Sequence, residues 1–493
     1  MLKAFGKIVG VFPSFWANWM TLLGTVITTI SGFSILVSLV VTLVAGGANQ
    51  YALAVGVLVM PAMFIGGLIL TSIGFIYETR RKEGRRDQGP VDNAFREAFR
   101  LAMQSRRARG LIIFFALATL VNVVLIGGAV TTALSFMDSP KFCGEFCHTV
   151  MQPEYDTYRQ SPHSRVKCVQ CHIGPGASWA VKAKVDGLRQ VWGVMTGNYS
   201  TPIPSPVREL RPARDTCQQC HWPSHFLGNR ISFFTHFDDD EENSPSVTAL
   251  MLKVGGMSPK TGKFHGIHWH VSDEVEIRYE ALDEKREKVG RVQVYEKGEL
   301  VREYLPPKEE ASGSPVEVRT MDCVDCHNRP THVFDQSPKL AVDRAMFQGL
   351  LNREQPYLHK AAVAVLEAAG GDLERDKAEE HFDAALAAYY EKEFPDTELS
   401  AEERAKAADG LAKLYHLNIY PDMKIVWGVH PNHLGHRGEE QDKRGCFRCH
   451  NDEHESSDGK VIAMDCDLCH DFLEEEVAPD ELPEGLRSLL PEF

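Results

Sequence analysis

Twelve cysteines, all of them in six pairs and every pair followed at once by a histidine, constrain this chain more than any other feature. The motifs are Cys143-Gly-Glu-Phe-Cys147-His148, Cys168-Val-Gln-Cys171-His172, Cys217-Gln-Gln-Cys220-His221, Cys323-Val-Asp-Cys326-His327, Cys446-Phe-Arg-Cys449-His450 and Cys466-Asp-Leu-Cys469-His470. With 20 histidines in 493 residues, chance puts one after a given cysteine about 4% of the time, so six in six has a chemical cause. Zinc pairs need no histidine at the next position, and a disulfide framework would not repeat one local signature. Covalent haem needs this pattern: two thiols add to the porphyrin vinyl groups and the adjacent imidazole reaches the iron. The spacing predicts six covalently bound haems c, held by Cys143, Cys147, Cys168, Cys171, Cys217, Cys220, Cys323, Cys326, Cys446, Cys449, Cys466 and Cys469. The first motif carries one extra residue between its cysteines.

Three apolar runs precede the motifs, at about 20–46, 52–76 and 111–136, and none contains Asp, Glu, Lys, Arg or His. Each is long enough to cross roughly 30 Å of hydrocarbon as a helix. Phe12, Phe15, Trp16 and Trp19 stand before the first, where amphipathic rings favour the headgroup layer. The first run is too long for a cleaved signal and reads as a retained anchor. The connector between the second and third runs carries ten Lys and Arg between Arg80 and Arg109, and positive loops stay in the cytoplasm. The expected topology is multi-pass in a bacterial inner membrane, with the N-terminus cytoplasmic and the haem part in the periplasm, where haem c is attached. No histidine precedes His148, so no bis-histidine haem is expected inside the bilayer.

The remainder is expected to be mainly α with a haem-packed core, a multihaem cytochrome c domain and a small antiparallel β insertion. The boundaries are 1–137 for the membrane domain with three transmembrane helices, 138–246 for three haems, 247–318 for the β insertion and 319–493 for three more haems with a helical spacer. Within 177–195, Trp179, Val181, Val185, Leu188, Val191 and Trp192 fall at helical spacing and predict an amphipathic helix along the bilayer surface. Val275–Tyr279 and Arg291–Tyr295 alternate as strands, with Lys297-Gly298 as a hairpin turn. Residues 340–414 read as three or four helices. The net charge of −14 argues against nucleic acid, which needs a basic surface; the acidic run Asp238–Glu242 and the tail 474–484 read as solvated loops.

Fourteen histidines lie outside the motifs. Besides the motif ligands His148, His172, His221, His327, His450 and His470, the candidates for the second axial position are His163, His225, His332, His433, His436 and His454, each near a motif in turn-like sequence. His265, His268 and His270 form an H-x-x-H-x-H cluster that fits iron ligands or free loop histidines equally. His381 and His416 sit in spacer helices. Met151, three residues after His148, is a candidate thioether ligand, which would raise a reduction potential.

An apolar run followed by Cys143…Cys147-His148…Met151, then Tyr155…Tyr158…Ser161-Pro162-His163 and Cys168-Val-Gln-Cys171-His172, resembles the NapC/NirT/NrfH family of membrane-anchored multihaem quinol dehydrogenases over about 111–237. The longer chain is similar to enlarged inner-membrane members from bacteria that respire extracellular acceptors. The resemblance implies menaquinol as substrate, Met151 as axial residue, His163 as distal ligand of another haem, and a pocket lysine matched by Lys184 or Lys182 with Asp186 as the nearest carboxylate. Asp186 is only two residues past Lys184, a spacing that does not share a helix face.

The expected function is therefore menaquinol oxidation at the periplasmic face, with electrons passed through six haems to periplasmic c-type cytochromes or a reductase. Its partners are the quinone pool and the lipid bilayer. The alternatives are a terminal reductase with one open haem, which a surplus of histidines disfavours, and a fixed cytochrome subunit of a larger respiratory complex.

Overall fold

The computed structural model describes residues 18–45 and 59–83, scattered positions from 104 to 132, and residues 134–493 apart from 147, 208–210, 223–227, 259, 309–313, 398, 437–444 and 491–493. The chain divides into two compact units, Met1–Met137 and Asp138–Phe493.

In the first unit, α1 (Trp19–Ala45) and α2 (Met60–Glu83) pack antiparallel. Small residues make the seam: a Cβ on Gly67 would lie 2.4 Å from Thr28 Oγ1, and one on Gly24 would lie 2.5 Å from Thr71 Oγ1. Close backbone approach through such residues is how helices associate where no hydrophobic drive exists between them. Asn18 Nδ2 donates to Gly74 O at 3.1 Å at one end of the seam. By length and composition one described helix stretch, Met60–Glu78, is apolar enough to cross a membrane, and Trp19–Ile35 is a shorter apolar stretch. Most of the third run, 111–136, lies outside the described residues.

The second unit opens with α3 (His148–Gln160) and α4 (Ala177–Thr196). From 138 to 229 the hydrophobic residues buried among those described are Val150, Tyr158 and Ala213, too few for an apolar core of that length. Three antiparallel sheets follow. β1 (Arg230–Phe237), β2 (Pro245–Leu252) and β10 (His470–Val477) form one; β3 (Gly256–Met257) and β4 (Phe264–His265) form another. The largest runs in the order β8-β5-β6-β7-β9, from β5 (Val275–Ala281), β6 (Val289–Glu296), β7 (Glu299–Leu305), β8 (Glu317–Thr320) and β9 (Glu455–Ser456). Alternation places Val275, Ile277, Tyr279 and Ala281 of β5 in its core. Lys297 and Gly298 turn the β6–β7 hairpin with positive φ at both positions, the backbone a two-residue turn needs. The sheets extend beyond 247–318, since β1 precedes that stretch and β9 and β10 return from the last two motifs.

Four helices, α5 (Pro338–Phe347), α6 (Leu358–Ala369), α7 (Ala378–Glu393) and α8 (Ala401–Asn418), fill the spacer. Ser337 caps α5 and a Ser400–Glu403 capping box starts α8. Their inward faces, with Leu351, Leu366, Phe382, Leu411 and Tyr415, make the main hydrophobic core.

Candidate haem-binding centre

Short helical turns run through Cys168–His172 and Cys323–Cys326 and up to Cys217 of the third motif; in the fourth, Asp322 caps the turn through Val324 N–H. The eleven described cysteines form no disulfide with one another. Successive motifs are neighbours in space. Cys143 lies beside Cys168, and Cys217 beside Cys323. Cys171 lies within electrostatic reach of Cys220, Cys326 of Cys446 and Cys449, and Cys446 of Cys469. Cys147 and the side chain of His148 lie outside the described residues.

Four motif histidines face a second imidazole. Ring centres are 6.0 Å apart for His221 and His163, 6.3 Å for His172 and His332, 5.9 Å for His450 and His270, and 6.2 Å for His470 and His436. Imidazole nitrogen binds a metal such as zinc at about 2 Å, and the ring centre lies about 1 Å behind the nitrogen. Two rings on opposite sides of one iron therefore have centres about 6 Å apart, and the residues present fit haem.

Hydrogen bonding sets the ring tautomer of four of these eight histidines and of His268. A carbonyl can only accept, so a ring nitrogen bonded to one carries the proton and leaves the other nitrogen's lone pair for a metal. Nδ1 donates to Pro330 O from His163 (3.1 Å), to Glu154 O from His332 (2.8 Å), to Ala463 O from His450 (2.8 Å), to Val254 O from His268 (3.1 Å) and to Ile267 O from His270 (2.8 Å). Burial lowers the pKa of His270, His332 and His470, favouring the neutral imidazole that metals bind.

The remaining candidates differ. His454 is 1% exposed, with Nδ1 on Asn451 Oδ1 (3.1 Å) and Nε2 on Gly290 O (3.0 Å), so both nitrogens are engaged within the protein. His433 is buried with its Nε2 unpartnered, and burial together with Arg448 lowers its pKa to about 3. His225 lies outside the described residues. His416 Nε2 donates to Arg375 O at 2.6 Å. The sequence left His268 and His270 open; the available signal was their spacing, H-x-x-H-x-H, without an indication of what they face.

Around the expected quinol site, Lys184 Nζ pairs with Asp138 Oδ1 at 3.0 Å, both partly exposed. Asp138, five residues before Cys143, was not anticipated; Asp186 is half-buried on α4. Lys182 instead lies over the Trp179 ring, 5.5 Å from its centre. Met151 is half-buried in the first turn of α3. Positions 148 and 151 share one helix face, so Met151 suits the same side of a haem as His148 rather than the opposite one. Val185, Leu188, Trp192 and Met195 leave an apolar stripe of α4 exposed.

Residues 104–204 match the NapC/NirT cytochrome c family, N-terminal region. Among curated proteins, the cytochrome c-type protein ImcH of Geobacter sulfurreducens is 38% identical over 479 residues, covering 95% of this chain and 90% of ImcH. No solved structure matches.

Proposed function

Because the chain belongs to the NapC/NirT cytochrome c family, we propose that it is an inner-membrane quinol dehydrogenase that passes electrons through six haems c to periplasmic cytochromes or a reductase. Bound haem supplies one-electron chemistry whose potential its axial ligands set. His172, His221, His327, His450 and His470 would each hold the iron of their own motif, with His332, His163 and His436 as partner imidazoles at the second, third and sixth, and either His148 or Met151 would hold the first. The paired imidazoles, each joining a motif histidine to a distant one at ring-centre separations of 5.9–6.3 Å, carry this reading. Such pairs close the iron to substrate, which suits a conductor better than a terminal reductase.

Oxidising menaquinol releases two electrons and two protons, so an acceptor for protons is needed beside the first haem. The Asp138 carboxylate can take a proton while the Lys184 ammonium orients a quinol oxygen, and Met151 is the axial candidate on α3. The exposed apolar stripe of α4 is suited to the headgroup boundary, where a lipid-soluble donor arrives.

The test is stopped-flow reduction of the detergent-purified chain by menaquinol. Met151→Ala, Lys184→Ala and Asp138→Asn are each expected to slow quinol-driven reduction about tenfold or more while dithionite still reduces every haem. Unchanged quinol kinetics in all three would overturn the pocket, and a polypeptide mass without six haems would overturn the wire.

A further inference from the structure

Helix α3 begins at the histidine of the first motif and carries Glu154, whose carboxylate faces the loop that follows the fourth motif. His332 of that loop is the imidazole opposite His172. Its Nδ1 donates to Glu154 O at 2.8 Å, while the Glu154 carboxylate stands 3.2 Å from the same nitrogen. Glu154 Oε2 is enclosed and accepts no hydrogen bond, so the proton lies on the backbone oxygen and the carboxylate acts on the ring through its charge.

Among the described residues, Arg329 is the cation facing that carboxylate, with Nη1 3.6 Å from Oε2. Its side chain is buried and committed elsewhere, Nη1 donating to His332 O at 3.1 Å and Nη2 to Ser205 Oγ at 3.0 Å. The guanidinium therefore sits further from Oε2 than the ring nitrogen does and offsets the negative charge only in part. Water is kept from Oε2, so little screens its field at the imidazole. A negative charge beside Nδ1–H makes the ring a stronger donor to a metal and favours ferric over ferrous iron.

We infer that Glu154 is a positioning residue that acts through His332 to lower the potential of the second haem, with Arg329 limiting the shift. The inference rests on the six-haem reading and deepens it. One helix then carries a histidine of the first centre and the charge that tunes the second, so the step between them is set from α3.

The experiment uses the full-length chain with its haems, counted by mass and followed by electron paramagnetic resonance through a redox titration at one pH. His332→Ala identifies the second haem as the low-spin component it abolishes. Glu154→Gln should keep the haem count and spin states and raise the potential of that component by about 59 mV or more, a tenfold change in its one-electron equilibrium. Glu154→Asp, which keeps the charge but withdraws it, should give a smaller rise. Arg329→Gln should shift the same component downward, and Arg329→Lys should leave it nearly in place. Asp156→Asn removes a carboxylate of α3 that instead accepts from Tyr420 Oη, and should leave the component where it is. An unchanged potential in Glu154→Gln, a loss of its low-spin signal, or a shift of the same sign in Arg329→Gln would overturn the inference. Low-spin signals that all survive His332→Ala would instead remove the underlying ligand reading, so the two failures are distinguishable.

Discussion

Arg448 lies between Cys446 and Cys449 of the fifth motif, yet its guanidinium is buried and donates to Gly445 O, Arg286 O and Asp325 O at 2.8, 2.6 and 2.6 Å. The Asp325 carboxylate in turn accepts from Tyr279 Oη (2.5 Å), Arg319 Nε (3.0 Å) and Asp322 N–H (2.7 Å). Arg448→Ala removes three charge-assisted bonds and leaves buried carbonyls unpaired, a loss of about 3 kcal/mol or more. Guanidinium denaturation followed at the haem absorbance measures it. Arg448→Lys should recover only a small part, since an ammonium lacks the planar fork. The six cysteine-histidine motifs stand out because their pattern is local in sequence. Nearness to a motif pointed equally to His163, His332, His436 and His454, and the structure brings the rings of the first three to 6.0–6.3 Å from that of a motif histidine. What distinguishes His454 is its bond to Gly290 O on β6, a partner more than 160 residues away that no local pattern announces. Asp138 was missed for the same reason, lying 46 residues from Lys184.

The helical spacer is held to the first sheet by an ionic clamp on α6. His359 is 1% exposed and sets Nδ1 against Asp239 at 2.8 Å and Nε2 against Asp343 at 3.1 Å, while Asp343 also accepts from Phe237 N–H and His236. Burial alone would lower the pKa of His359, but the bonds to Asp343 and Asp239 outweigh it and raise the pKa above its ordinary 6.5. Burial would likewise raise Asp343, but the bonds from His236 and His359 hold it below its ordinary 3.8. The stabilisation from His359 is complete below pH 6.5 and fades as pH climbs through the raised folded value. That from Asp343 is complete above 3.8 and fades as pH falls through the lowered one. His359→Gln should therefore cost most, about 3 kcal/mol, between about pH 4 and 6.5 and progressively less in alkaline buffer; denaturation midpoints across pH check this. Leu366→Ala, at a fully buried position of α6, should cost about 2–5 kcal/mol at every pH. Strands such as β5 were readable from alternation. β10 was not, because His-Asp-Phe-Leu-Glu-Glu-Glu-Val carries its charges on a strand that β2 pairs only along one edge.

Across the whole molecule, the order of the motifs along the sequence is also their order in space, since each one's thiols neighbour those of the next. Removing the last attachment site with Cys466→Ala and Cys469→Ala should leave five haems that menaquinol still reduces, while turnover with an external acceptor falls at least tenfold; mass and steady-state assays report both. A branched arrangement would keep turnover. The segmentation into apolar runs and motifs was evident from composition, whereas the return of the C-terminal strands to earlier sheets depends on long-range pairing. That return has a consequence for delivery. His470 is at once the sixth motif's histidine and the first residue of β10, opposite Leu252 in a three-stranded sheet. If the sixth motif holds the last haem, as proposed, that centre is a fixed dock rather than a swinging arm, and a carrier taking its electrons would have to visit it and depart.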